Sequence, residues 1–178
     1  MSPSARRKLV VALIFAVCAA PIVLATLAWR FHWGTPATGN YGELLPPRAL
    51  EGAPFERLRG KWLLVTFDPA ACDAACEKKL FIVRQVRRAQ GANAERMERL
   101  WLVSDGGKPR PELLAAIEGS HVEPARSAGE LQAFPGDPRA YIYVVDPLGN
   151  LILRYPADPD PKRMIRDLER LLKLSRIG

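Results

Sequence analysis

KWLLVTFDPAACDAACEKKLFIVRQVRR, residues 61–88, decides how the rest of the chain is read. Trp62, Leu63, Leu64, Val65, Thr66 and Phe67 form a continuous apolar run rich in strand formers, bounded by Gly60 and by Asp68-Pro69. Such a run fits a central strand covered on both faces. Leu80, Val83, Val86 and Ala89 then recur at helical spacing, so the next segment is expected to be a helix with one buried side. Cys72 and Cys76 lie at the joint. Four residues make about one helical turn, so the spacing predicts two sulfurs on the same side of the first turn. Their Cα atoms would be roughly 6 Å apart, within the reach of a disulfide. Free N–H groups and the helix dipole favour thiolate there, and Lys78 and Lys79 push the same way. Asp68, Asp73 and Glu77 push against it. Two such thiolates can form a reversible disulfide or grip a soft ion such as Cu(I). Two inert readings stand beside these. One is a structural disulfide, which would close a loop of about five residues and contribute roughly 2 kcal/mol. The other is a pair of buried free thiols, which a turn disfavours.

Working outward, the 178 residues are 48% hydrophobic and carry a net charge of +7. The mean hydropathy is −0.06 and the pI about 9.7. That is enough apolar material for one domain plus an appendage. The arginines are scattered, with no interleaving of aromatic and basic residues. No nucleic-acid partner is therefore expected, and the charge reads as topology signals and a solvated surface. The appendage is residues 1–33. Arg6, Arg7 and Lys8 precede an uncharged apolar run over 9–29, bordered by Arg30, Phe31, His32 and Trp33. About 21 residues at 1.5 Å each span roughly 31 Å, one bilayer core. The positive flank should remain in the cytoplasm, so the remainder faces the outer side of the membrane. A cleaved signal peptide is the competing reading, given the small residues around Ala25 and Ala28, but the run is long for one. Either way the cysteine pair reaches a compartment where disulfides form. Cys18 within the run reads as a small hydrophobe.

Residues 34–51 are a Gly- and Pro-rich linker, with a short edge strand over 44–50 because Pro46 and Pro47 forbid a central one. The domain is expected over 52–178. It opens on a turn at 52–55, with Phe55 and Leu58 anchored in the core. After the cysteine helix come a strand at 100–103 and a helix at 111–118 with Leu113, Leu114 and Ile117 inward. A short strand begins near Val122, and a short helix is placed at 129–134. A hairpin of strands 141–145 and 151–155 turns at Asp146-Pro147-Leu148-Gly149-Asn150. A final helix is capped within 158–160, opens at Pro161, and carries a stripe of Met164, Ile165, Leu168, Leu171 and Leu172. The order is that of an α/β sandwich with a right-handed crossover in its parallel part.

This order, with a cysteine pair after the first core strand, resembles the thioredoxin superfamily, and the fold expected is a thioredoxin-like α/β sandwich with an N-terminal transmembrane helix. Gly52-Ala53-Pro54-Phe55 through Gly60-Lys61-Trp62, the C-x-x-x-C spacing and the hairpin at 141–155 resemble Sco/SenC-type cytochrome oxidase assembly proteins. Residues 40–47, 72–90 and 146–178 also resemble a small transmembrane protein of proteobacterial cytochrome oxidase operons. The resemblance implies that Cys72 and Cys76 correspond to the Sco copper-ligand and redox cysteines. Sco proteins carry a third ligand, a histidine just before the hairpin; Pro138-Arg139-Ala140 stands there in this chain. His121 and the membrane-edge His32 are the candidates left, with His121 as a third metal ligand beside Cys72 and Cys76. Pro138 resembles in position the cis-proline that lies beside the cysteines of thioredoxins.

Three functions follow as expectations. The first is a dithiol–disulfide factor for oxidase assembly, acting on the copper-site cysteines of cytochrome c oxidase subunit II or on a copper chaperone. It would need no cofactor, and Cys72, as the more exposed sulfur, would attack while Cys76 resolves. The second is a Cu(I) carrier using both cysteines. The third is a docking scaffold whose cysteines are incidental.

Overall fold

The computed structural model describes residues 3–30, 39–125 and 131–178. They fall into two compact units, Met1–Gly39 and Asn40–Gly178. The first unit is helix α1 (Pro3–Arg30). Its stretch Pro3–Ala28 has a mean hydropathy of 2.7 and is nowhere buried by the protein. It is long and apolar enough to cross a bilayer core once, and so fits a single-pass anchor.

The second unit is built on a six-stranded mixed sheet. Its strands are β1 (Glu43–Ala49), β2 (Trp62–Asp68), β3 (Met97–Val103), β4 (His121–Pro124), β5 (Tyr141–Val145) and β6 (Asn150–Pro156), in the order β1-β6-β5-β2-β3-β4. β2 runs parallel to β3 and antiparallel to β5, while β3 runs parallel to β4. The apolar run at 62–67 is the central strand: all seven residues of β2 are buried. The expected edge strand is β1, antiparallel to β6, with its register interrupted between Leu44 and Arg48, where the two prolines sit. Arg154 of β6 holds Glu43 of β1 through two hydrogen bonds of 2.7 and 2.9 Å.

Helices α3 (Ala74–Ala89) and α5 (Pro161–Leu174) cover one face of the sheet; α2 (Ala53–Arg57) and α4 (Pro111–Ala116) are short. Trp62 and Leu64 pack with Val83, Val86, Met164, Leu168 and Leu172 on the α3/α5 face. Leu63, Val65 and Phe67 point the other way, toward Phe55, Phe134 and Tyr143. This two-sided burial is what the period of two demands of a strand covered on both faces. Asp167 of α5 accepts hydrogen bonds from the backbone N–H of Tyr41 and Gly42, tying the start of the domain to its last helix. Arg96 donates to the carbonyls of Leu172, Ser175, Ile177 and Gly178, fastening the last residues under β3.

Several local expectations change. The turn expected at 52–55 is the helix α2, with Phe55 buried as expected. Ala89 is exposed; the inner side of α3 carries Cys76, Lys79, Leu80, Ile82, Val83 and Val86. Leu114 is 39% exposed, whereas Leu113 and Ile117 are buried: residues four apart share a helical face, while Leu114 lies about 100° round from Leu113. The helix expected at 129–134 falls partly on residues 126–130, outside the described residues; of the rest, Phe134 is buried in the core. Pro138 opens a 3-10 turn (Pro138–Ala140), and no cis peptide bond occurs among the described residues, so the cis-proline expectation does not hold.

Candidate functional site

The site lies where β2 ends and α3 begins. Asp68 closes the strand, Pro69 breaks it, and residues 69–72 turn back, with the Cys72 N–H donating to the Pro69 carbonyl at 3.0 Å. The turn is tied to the loop after β3: the Ala70 and Gly107 N–H groups both donate to Asp105 Oδ1 at 3.0 Å. These two N–H groups hold the Asp105 carboxyl below the usual aspartate range, the Ala70 bond contributing most. Asp73 is the N-cap of α3 and accepts from the Cys76 N–H at 2.9 Å.

Cys72 and Cys76 form a disulfide with Cα atoms 5.2 Å apart. The distance matches the expectation for one turn, but the route differs. Only Cys76 is in the helix; Cys72 precedes the cap, with a φ of 35° in the left-handed region that residues with a Cβ rarely adopt. Its neighbours hold it there. Arg110, at the start of α4, donates to the carbonyls of Ala71 and Cys72 at 3.2 and 3.4 Å and pairs with Glu77. Both cysteines are buried, at 2% and 1% exposure, among Leu80, Trp101, Val103, Leu113 and Ile117. The expectation of a more exposed N-terminal sulfur therefore finds no counterpart in the oxidised structure.

Beneath the disulfide lies an ion pair that the sequence reading missed. Lys79, one turn after Cys76, is 2% exposed and sits 2.8 Å from Asp68 Oδ2. Its ammonium also donates to the carbonyls of Arg139 at 2.7 Å and Phe67 at 3.3 Å. Asp68 Oδ2 is buried and off the line of a hydrogen bond, so the attraction to Lys79 is one of charge. Burial pushes the Asp68 carboxyl above its ordinary value, outweighing the opposing pull of Lys79 and Arg139. The signal was present: Cys76, Lys79, Val83 and Val86 share one helical stripe, and Lys79 was the polar member of it. A depression of about 200 Å³ opens beside this pair, lined by Asp68, Asp73, Cys76, Lys79, Asp137 and Arg139. Asp137 and Arg139 also line a neighbouring depression of about 550 Å³ that reaches Phe67 and Phe134.

His121 begins β4 and pairs in register with Leu100, so it shares the Leu100 face; the cysteines pack against Trp101 on the opposite one. Its imidazole Nε2 lies 3.6 Å from Glu98. The structure thus brings Cys72 and Cys76 together and leaves His121 away from them. His32 lies outside the described residues. Among the described residues, no group of three or more His, Cys, Asp or Glu side chains is arranged to hold a metal ion. The donor set on offer to a copper ion is therefore two sulfurs, once reduced, flanked by the cations Lys79 and Arg139. Two thiolates suit a soft ion such as Cu(I), while the two neighbouring cations oppose its positive charge.

The chain matches, over residues 62–175, the family described as transmembrane-like, thioredoxin-like, C-terminal domain. No curated protein matches it. Among solved structures, yeast Sco1 with copper bound superposes with a TM-score of 0.59 at 17% identity, covering 80% of this chain and 96% of that one. The solution structure of apo Sco1 from Thermus thermophilus gives 0.54 at 22% identity, covering 78% and 99%. BsSco, described as a member of the Sco family of cytochrome c oxidase assembly proteins with a disulfide switch, gives 0.51 at 15% identity, covering 76% and 97%. These likenesses establish a thioredoxin-like fold of the Sco type. With its matched segment running from the first residue of β2 to the end of α5, the chain belongs to the family of transmembrane-like, thioredoxin-like C-terminal domains.

Proposed function

We propose that this protein is a periplasm-facing, inner-membrane-anchored thiol–disulfide factor that assists assembly of the copper centre of cytochrome c oxidase. The observation that carries the reading is the Cys72–Cys76 disulfide at the strand-to-helix joint, with the cations Lys79 and Arg139 at the depression beside Cys76. The Sco-type fold supports it: one such structure is described by its disulfide switch and its place among oxidase assembly proteins. In the reduced protein, Cys72 as thiolate attacks a partner's disulfide. A mixed disulfide forms and one partner sulfur leaves as thiolate. Cys76 gives up its proton and attacks Cys72 Sγ. The Cys72–Cys76 bond reforms, and the partner leaves as a dithiol carrying the two electrons. The partner proposed is subunit II or a copper chaperone, whose paired cysteines must be reduced before they can take copper.

A second reading, a Cu(I) carrier, is favoured by the 5.2 Å separation of the cysteine Cα atoms and by the copper-bound state of the yeast Sco1 structure. The reduced full-length chain in detergent, with Cys18 replaced by Ser, separates the two readings. Incubation with a disulfide-bridged peptide should reduce one peptide per chain, and the Cys76→Ser variant should accumulate a mixed disulfide at Cys72. A Cu(I) competition with a chromophoric chelator should leave copper with the chelator. One Cu(I) retained per chain, lost on Cys72→Ser, would move the assignment to the carrier. His121→Ala leaving that retention unchanged would exclude it as a ligand.

A further inference from the structure

We propose that the outer face of α5 docks on the anionic phospholipid headgroups of the membrane that holds α1. The inference rests on α1 as a retained anchor and is independent of the chemistry of the cysteines. Helix α5 buries Met164, Leu168 and Leu172 against the sheet. At about 100° per residue, Lys162, Arg163, Arg166, Arg170 and Lys173 fall opposite that stripe, within an arc of roughly 100° that holds no acidic residue. All five are exposed.

This arrangement works against the helix that carries it. Lys162, Arg166 and Arg170 follow one another four apart, a like-charge spacing that destabilises a helix. Lys162 and Arg163 also stand in a first turn without acidic residues, where the dipole disfavours cations. The nearby carboxylates are at the border of the arc or engaged elsewhere. Glu169 lies at its edge, Asp160 caps the helix, Asp167 accepts from Tyr41 and Gly42, and Asp158 pairs with Lys78. Among the described residues, no carboxylate pairs with Lys162, Arg166 or Lys173. An anionic surface supplies the counter-charge that the chain itself withholds.

The point of chain entry identifies that surface. The backbone N–H groups of Tyr41 and Gly42 donate to Asp167 of α5 at 2.6 and 2.8 Å. The Asp160 N–H donates to the Tyr41 hydroxyl at 2.9 Å, and the Arg163 guanidinium lies 4.2 Å from the centre of the Tyr41 ring. The chain arriving from the anchor is thus fastened to α5 itself. Between Arg30 and Gly39, residues 31–38 span at most roughly 30 Å when fully extended. So short a tether makes the contact intramolecular, at an effective concentration on the order of millimolar, and individually weak contacts then suffice.

The test uses the oxidised full-length chain with Cys18→Ser, reconstituted into phosphatidylcholine vesicles with or without phosphatidylglycerol. An environment-sensitive fluorophore is attached at Leu174→Cys, on the exposed end of α5, or at Glu56→Cys, on α2 across the sheet. Quenching by a lipid with a nitroxide headgroup reports which side meets the bilayer. With phosphatidylglycerol present, the label at 174 should be quenched and the label at 56 should not. The quenching should fade at roughly 0.5 M salt, where the Debye length falls to a few ångströms. Lys162→Gln, Arg166→Gln and Lys173→Gln together should lower the ratio of docked to free domain about a hundredfold, or about fivefold per cation. The same triple variant should melt no lower than the parent, since like charges are removed, and this separates lost docking from a damaged fold. Equal quenching at the two positions, or quenching at 174 that the triple variant leaves unchanged, overturns the proposal. So does the absence of quenching at 174, which would leave the face to an acidic protein. Flotation with the vesicles at high salt reports the anchor by itself, and a chain left behind would overturn the proposal together with the anchor.

Discussion

Replacing Lys79 by Met should be among the costliest single changes in the domain. Lys79 and Asp68 are 2% and 3% exposed, and the ammonium faces the Asp68 carboxylate while donating to the carbonyls of Phe67 and Arg139. Met fills nearly the same volume, so little cavity is made. What remains is a buried carboxylate without its counter-charge and two carbonyls without their donor. Breaking a buried pair from one side costs about 3–5 kcal/mol. For a domain of this size that is a fall of roughly 10–20 °C in Tm. The loss should depend on pH. The Asp68 carboxyl already has a raised pKa, and removing Lys79 raises it further. A group raised in the folded state favours folding below its unfolded value and loses that contribution as pH rises through the interval up to its folded value. Lys79→Met should therefore be least damaging near pH 4 and most damaging at pH 8. Adding Asp68→Leu should recover most of the stability, since a well-packed apolar pair can match a buried ion pair. Thermal melts of the oxidised protein by near-ultraviolet circular dichroism measure all three. A Tm for Lys79→Met within about 3 °C of the parent at pH 8, or a double variant no better than the single one, would refute the reasoning.

Two further outcomes follow from the same contacts. Asp105 has its carboxyl lowered by the Ala70 and Gly107 N–H groups, so its contribution is present above the ordinary aspartate value and fades as pH falls through the lower folded one; melts below pH 4 should show that step in the parent and lack it in Asp105→Asn. Gly42→Ala should destabilise by about 1–3 kcal/mol, since a Cβ there would meet the Tyr155 ring at 2.7 Å in a packed core, and a denaturant midpoint equal to the parent's would contradict it.

Much of this fold could be read from local pattern. The run Trp62 to Phe67 is apolar at every position but Thr66, and that composition fits only a strand covered on both faces. The hairpin carries its own turn chemistry: Asp146 accepts from the N–H groups of Leu148 and Asn150. The joint with its two cysteines was legible for the same reason, because strand end, proline and helix cap are all local signals. The parts that escaped depend on partners distant in sequence. Arg110 and Asp105 act on the cysteine turn from the far side of β3, and no periodicity announces such a contact. Lys79 was legible by position and misread by type, as a charge acting on the thiols, because its compensating group lies on the preceding strand. His121 looked available as a ligand until strand register set it on the face opposite the cysteines.

The sheet order has a consequence for when the site comes into being. β1, the first strand made, lies against β6, the last, and β5 must slot between β6 and β2 before the layer is continuous. Contacts so distant along the chain form late, and a ribosome delivers them last. The cysteines, separated by 4 positions, need none of this to meet. The two sulfurs can thus meet before the sheet is complete, while the completed fold encloses them. A reagent that reduces the pair after folding therefore has to reach two sulfurs that the finished structure encloses.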